Sequence, residues 1–347
     1  MMGGIAPPMP ASSTLDPTAA EALLRERYGL RASARPLPSY ADTNFRIDVG
    51  RESYVLRIAH VGEELAALLF QHRLLERLER AGIRAPRVVP AHGGGDVETL
   101  ETAEGPRLVR LHTWVPGVPL AELAEPPLAL LEELGALLGR IDGALADVER
   151  PDYAREFPWD PHRAGAAREH LDAISDRDGR RRVADVLDRF EAELLPRFEH
   201  MAQGVIHNDA NDHNVLVSPG HEGRSPAIAG LTDFGDALHA PLVVEPALAA
   251  TYAMLARRDP LARALAVLRG YLGEQPLVEV DLELFFALVE TRLAVSVATS
   301  AAARSRRPDD AYLAVTEPHA WRLLAWFERE RAQELRRAAV MLLEVSR

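Results

Sequence analysis

Residues 204–217 read GVIHNDANDHNVLV, and residues 227–236 read AIAGLTDFGD. In the first stretch Val205-Ile206 leads into a polar loop, and Val215-Leu216-Val217 leads out of it as a strand. A turn with a proline at each end, Pro219 and Pro226, follows. The second stretch is another apolar run that ends in Thr232-Asp233-Phe234-Gly235-Asp236. Two strands joined by a short turn pair antiparallel, so the start of the first lies beside the end of the second. That pairing predicts Asn214 and Asp233 at one end of the unit, with Asp209 in the adjoining loop.

Phosphoryl transfer asks for this set of groups, because it leaves the protein little covalent chemistry to do beyond positioning and charge neutralisation. One carboxylate must orient an acceptor hydroxyl and take its proton, and Asp209 is the candidate. An amide oxygen and a second carboxylate must hold Mg2+ against phosphate oxygens, and Asn214 and Asp233 are the candidate metal ligands. Magnesium prefers oxygen ligands and commonly takes one or two from the protein, with the rest from water and phosphate. A histidine, aspartate and asparagine spaced HxDxxxxN form a short pattern, and so does Asp-Phe-Gly. In this order, separated by a strand–turn–strand unit, the two are specific. His207 is expected to hydrogen-bond the loop, since Asp209 already supplies the base.

Composition sharpens this reading. All 40 basic residues are arginine, and the only asparagines are Asn44, Asn208, Asn211 and Asn214. Three of those four lie within eight residues, which calls for a local chemical reason. The net charge is −12, the wrong sign for a chain that grips a nucleic-acid backbone. No cysteine is present, so disulfides and thiolate metal sites are excluded. The longest unbroken apolar runs fall short of the roughly 18 residues of a membrane span. The proline-rich first residues carry no basic side chain, unlike a signal peptide. No membrane or nucleic-acid partner and a cytoplasmic location are the expectations.

Working outward, Asp16-Pro17 opens a helix that Gly29 closes. Residues 37–60 change period: Phe45–Ile47 and Tyr54–Ile58 read as short strands of a hairpin turning at Gly50-Arg51. Leu65, Leu68, Leu69, Leu75 and Leu78 have helical spacing up to Gly82. Val88-Val89 and Leu108–Leu111 add strands, and Trp114–Gly117 reads as a connector. Beyond it the chain is mostly helical, with helices at 127–145, 183–198, 246–270, 281–303 and 318–345. Gly135, Gly139 and Gly143 share a face of the first of these. Each costs about 1 kcal/mol relative to alanine in a helix, which predicts close approach of another backbone.

The two catalytic-type stretches, the flanking helices and TRLAVSVATSAAARSRRPDDAYLAVTEPHAW (291–321) resemble hydroxylysine-kinase-like members of the aminoglycoside/choline-phosphotransferase superfamily. They also resemble the phosphotransferase portions of aminotransferase-fused proteins. The resemblance runs over roughly residues 15–330. It implies an α+β, bilobal protein-kinase-like fold: a flexible tail at 1–14, a small β-rich nucleotide-binding N-lobe at 15–114, and a larger, mainly helical C-lobe at 115–347. It implies a kinase that uses ATP or GTP with Mg2+ to phosphorylate a small acceptor bearing a hydroxyl and an amine, hydroxylysine leading. Ethanolamine, choline, homoserine and aminoglycosides are alternatives, as is a pseudokinase that only binds nucleotide. A functional link to an aminotransferase-like phospho-lyase is a further implication.

The same resemblance makes SYADTNFRI (39–47) the loop over the nucleotide phosphates, with Ser39, Tyr40 and Asn44 as contacts. It places Arg57 where most relatives carry a phosphate-binding lysine. Arginine can grip phosphate with two parallel bonds, though its fork differs from an ammonium. At the helix positions where a carboxylate partner for Arg57 is expected stand Leu69 and Gln71, with Glu64 as the nearest acid. Asp212, Asp236 and Glu245 are candidates for an amine-favouring acceptor pocket. Asp160, beside Trp159, is either another such candidate or an N-cap, and Arg292 is a candidate for a substrate carboxylate.

Overall fold

The computed structural model describes residues 15–39, 42–151, 157–220, 224–255, 257–306, 317–330 and 332–345. The flexible tail expected at 1–14, and Tyr40, lie outside them. The chain divides into two compact units. Described residues up to Gly117 form the first together with Ala229–Gly235; Val118–Ile228 and the chain from Asp236 onward form the second. Asp233, assigned to the C-lobe on sequence, therefore groups with the first unit.

The first unit is α1 (Pro17–Leu23), β1 (Ala34–Leu37), β2 (Thr43–Val49), β3 (Glu52–Ile58), α2 (Leu65–Arg80), β4 (Val88–Val89), β5 (Glu98–Thr102) and β6 (Gly105–Thr113). The Asp16 carboxylate accepts from the Ala19 N–H at 2.7 Å and caps α1. A π-helical turn, Leu24–Tyr28, extends α1 to Gly29, whose φ of 66° ends it. The strands form one antiparallel sheet ordered β1-β2-β3-β6-β4, with β5 also paired to β6. Strand alternation separates its faces. One carries Phe45, Ile47, Leu56, Ile58, Val109 and Leu111 into a core with Leu24 and Tyr28. The other carries Asn44, Arg57 and Arg110, directly opposite one another across β2, β3 and β6. Helix α2 reaches this polar face, where its His72 meets His112 of β6 at 3.1 Å. Leu68, Leu75 and Leu78 of α2 are buried as their spacing predicts, but Leu65 and Leu69 are 48% and 44% exposed.

The second unit contains β7 (Val118–Pro119), α3 (Leu128–Ala144), α4 (Arg177–Arg189), β8 (Gln203–Ile206), β9 (Val215–Ser218), the start of β10 (Ala227–Leu231), β11 (Leu238–Pro241), α5 (Val244–Met254), α6 (Pro260–Leu272), α7 (Glu279–Leu282), α8 (Phe285–Arg306), α9 (Glu317–Arg329) and α10 (Ala332–Val345). Strand β8 pairs antiparallel with β11, and β9 with β7. The single helix expected at 246–270 is two. Leu255 is extended, and Asp259, where the following Pro260 disfavours the right-handed helical region, is left-handed at φ 52°. The span expected at 318–345 likewise divides into α9 and α10.

The glycine stripe of α3 does meet another backbone. A Cβ at Gly135 would stand 1.9 Å from the Val267 carbonyl oxygen, and one at Gly270 of α6 would stand 1.8 Å from that of Glu132. Helices α3 and α6 thus approach through glycines on both sides. Residues Glu279–Arg306 include a stretch whose length and mean hydropathy would suffice to cross a membrane, although no unbroken apolar run does, and 78% of that stretch is buried inside the protein. It is a core helix by its packing.

Candidate active site

The polar loop joins β8 to β9, and His207, Asn208, Asp209, Asn211 and Asn214 are all buried in it. The side chains of the asparagine cluster build the loop. The Asp209 carboxylate accepts from Asn211 Nδ2 at 3.0 Å on Oδ1 and from Asn214 Nδ2 at 2.7 Å on Oδ2. Asn214 Nδ2 also donates to the Asp209 carbonyl at 2.9 Å, so its amide nitrogen is turned toward Asp209. The Asn211 side-chain oxygen in turn accepts from the backbone N–H groups of His213 and Asn214 at 2.9 and 3.1 Å. His207 Nδ1 accepts from the Asp209 N–H at 3.1 Å, the loop-ordering part expected of it.

Asn208 adopts a left-handed backbone, φ 60°, a conformation asparagine tolerates better than most residues. Its N–H donates to Glu245 Oε2 at 2.9 Å, and its side-chain amide donates to the carbonyls of Trp159 and Asp236 at 3.1 and 3.3 Å. Glu245 is 0% exposed. It was expected to line an acceptor pocket; instead it holds the loop from behind and offers no surface to a ligand. Burial pushes its carboxyl up to about 7, against the pull of the Asn208 and His207 N–H groups. Asp142, also buried, is raised well above the usual carboxylate range by burial and by the charge of Glu245, while the Tyr271 hydroxyl donates to it at 2.6 Å.

A pocket of about 440 Å3, its open mouth included, adjoins this loop and is lined by Trp159, Asp160, Asn208, Leu248, Leu288 and Arg292, among others. The Arg292 guanidinium stacks 4.1 Å from the Trp159 ring centre and donates to the Tyr252 hydroxyl at 3.4 Å. Asp160 caps the 3-10 helix Pro161–Ala173 by accepting from the His162 N–H at 2.9 Å, the capping alternative of its two readings. Asp212 is half-buried, and its carbonyl accepts from Ala121 N–H at 2.8 Å. It lines a second pocket with Tyr252 and Arg257. Asp236 is half-buried and contributes its carbonyl to Asn208.

In the first unit, Arg57 donates to Asp233 Oδ1 from both terminal nitrogens, at 3.3 and 3.2 Å. Asp233 has a left-handed φ of 64°. The Asn44 amide donates to Ser39 Oγ at 3.1 Å, and its Oδ1 is buried with no partner among the described residues. The carboxylate beside Arg57 that does not come from the Asp-Phe-Gly stretch is Asp42, 3.7 Å away. Helix α2 supplies none: Leu69 is exposed and apolar, Gln71 is neutral, and Glu64 is exposed at the helix start. Arg110 and the His72–His112 pair, buried beside Arg57, were not singled out on sequence. Only the strand alternation of β6, which turns Arg110 and His112 away from the core, signals them. Burial and the neighbouring Arg110 and Arg57 charges lower both histidines, His72 to about 4.

The family model for the APH phosphotransferase enzyme family matches residues 33–280. The chain belongs to that family. It is 27% identical over 351 residues to mouse (Mus musculus) hydroxylysine kinase, covering 91% of this chain and 93% of that one. A microcompartment-associated aminopropanol kinase shares the fold with a TM-score of 0.67, at 19% identity over 95% of this chain and 98% of its own. An amicoumacin kinase solved in complex with AMP-PNP, Ca2+ and Ami does so with a TM-score of 0.66, at 18% identity over 87% of this chain and 91% of its own. The family and these kinase-named relatives make the chain a small-molecule kinase.

Proposed function

We propose that this kinase transfers the γ-phosphate of ATP or GTP to the hydroxyl of hydroxylysine. The observation that carries the reading is the Asp209 carboxylate held between the amides of Asn211 and Asn214. That clamp fixes the base and a metal-ligand candidate as one rigid piece. Asp209 orients the acceptor hydroxyl and takes its proton as that oxygen bonds to the γ-phosphorus, while the bond to the bridging oxygen breaks and the nucleoside diphosphate leaves with its electron pair. Asn214 and Asp233 suit Mg2+ by donor chemistry, offering one amide oxygen and one carboxylate. Magnesium commonly takes only one or two protein ligands and fills the rest of its shell with phosphate and water. When bound, the ion neutralises charge between the phosphates. Arg57, Ser39 and Asn44 are the phosphate-side contacts, with Arg57 in place of a lysine.

The acceptor reading rests on the hydroxylysine kinases the chain resembles and on Arg292. In this reading its guanidinium, stacked on Trp159 in the wall of the pocket, pairs with the substrate carboxylate. Ethanolamine, choline and aminoglycosides lack that carboxylate. The test is magnesium-dependent nucleotide consumption across hydroxylysine, homoserine, ethanolamine, choline and an aminoglycoside, with wild type and Arg292→Met. Hydroxylysine should be the best acceptor, and Arg292→Met should raise its KM about tenfold or more while changing ethanolamine turnover little. Preference for a carboxylate-free acceptor would sink the hydroxylysine assignment.

A further inference from the structure

The guanidinium of Arg57 sits between two carboxylates of its own unit, and they differ in character. The Asp233 side chain is 41% exposed and is a metal-ligand candidate. That of Asp42 is 13% exposed, and its Oδ2 lies 3.7 Å from Arg57 Nη2. Asp42 is fixed from two further directions. Arg110 Nη2 stands 3.6 Å from the same oxygen, and the His60 N–H donates to Oδ1 at 3.2 Å. Arg110 is 2% exposed, and its Nε and Nη1 are buried with no partner among the described residues.

We infer that Asp42 is the positioning residue that aims Arg57 at the donor phosphates, with Arg110 as its buried anchor. This rests on the reading that Arg57 grips phosphate. In the first unit Arg57 and Arg110 are directly opposed across β3 and β6, so their like charges repel in surroundings that screen them poorly. Asp42 lies against both and cancels that repulsion. Burial would raise its carboxyl, yet contact with His60 and the Arg110 and Arg57 charges hold it well below the usual carboxylate range. It is therefore charged at neutral pH. Burial and the charge of Arg57 bring Arg110 down to about 10, so it too stays charged at neutral pH.

The consequence concerns which part of the fold controls the phosphate grip. Asp42 immediately precedes β2, which carries Asn44. No acid on α2 reaches Arg57. The aim of the phosphate-binding cation is thus tied to Asp42 at the start of β2, with Glu63 just before α2 adding a weaker charge.

The experiment is calorimetric titration of ATP and GTP, each with and without Mg2+, into the full chain as wild type, Asp42→Asn, Arg57→Gln and the double variant. Each single change should weaken binding about tenfold, the scale of one charge-assisted hydrogen bond. The double variant should bind no more weakly than Arg57→Gln alone, because Asp42 acts through Arg57. The KM for the acceptor should not move in Asp42→Asn. Losses that add in the double variant would mean a general structural role and overturn the inference, as would wild-type affinity in Asp42→Asn. Unchanged affinity in Arg57→Gln would instead overturn the phosphate reading of Arg57, and the inference with it. If Asp42→Asn does not melt cooperatively, Asp42→Asn/Arg110→Gln carries the test, since it leaves no excess buried charge. That variant should show the same tenfold loss, and wild-type affinity in it would overturn the proposal.

Discussion

Replacing Glu245 by glutamine should make the protein more stable at alkaline pH and hardly change it at acid pH. Glu245 is completely buried, and its carboxyl titrates near 7 where an ordinary glutamate titrates near 4.5. The folded state therefore binds this proton more tightly than the unfolded chain does. Its stabilising contribution is complete below about pH 4.5 and is lost as pH rises through about 7. At about 1.4 kcal/mol for each tenfold change in proton affinity, ionising it in place costs about 3 kcal/mol. Asp142 adds to the slope in the same direction, since the charge of Glu245 raises it further. Glutamine keeps an oxygen for the Asn208 N–H that Glu245 Oε2 now accepts at 2.9 Å, and it has no proton to lose. The assay is thermal melting of wild type and Glu245→Gln from pH 5 to pH 8.5. At about 2–4 °C per kcal/mol for a unit of this size, the variant should gain roughly 6–12 °C over wild type at the alkaline end. Melting curves that stay parallel across this range would refute the reasoning, because they would mean that Glu245 carries the same charge folded and unfolded. Glu245→Ala is the control: it strands the Asn208 N–H and should lie about 1–3 kcal/mol below Glu245→Gln at every pH.

Gly135→Ala should destabilise by about 1–3 kcal/mol in denaturant unfolding, because its Cβ would meet backbone atoms at 1.9 and 2.8 Å. Gly143→Ala, whose Cβ would find only the Gln275 side chain at 3.6 Å, should be neutral or stabilising by up to about 1 kcal/mol. Asp209→Asn should lower kcat by about 100- to 10,000-fold in steady-state assays, with nucleotide affinity by calorimetry little changed. A kcat loss below tenfold would remove Asp209 from the role of base.

Several features were legible in the linear order because they are local. The Asp16 cap and the Gly29 stop need only one helix turn and one backbone conformation, and both are present as read. The β-type runs at 45–47 and 54–58, with a turn between them, specified a hairpin, and the glycines of α3 announced a close neighbour without naming it. The asparagine cluster was legible as a chemical demand, though not as the amide clamp that Asn211 and Asn214 make on Asp209. Helix breaks were harder: the period of 246–270 continues through a segment that Asp259-Pro260 interrupts, because apolar spacing records a buried face and not hydrogen-bond continuity.

The sequence by itself determined the class of chemistry, since HNDANDHN and TDFGD place their polar groups by short-range spacing alone. Tertiary structure decided what surrounds them. Glu245 is 37 residues from Asn208, and Arg292 is 133 from Trp159; only the packing of α5 and α8 makes one a loop anchor and the other a stacked cation. Asp42, Arg57 and Arg110 meet because β2, β3 and β6 pair in one register, and a slip of one residue would turn Arg57 and Arg110 to opposite faces. Which acid faces which arginine is set by long-range pairing and burial. Neither leaves a mark in local spacing.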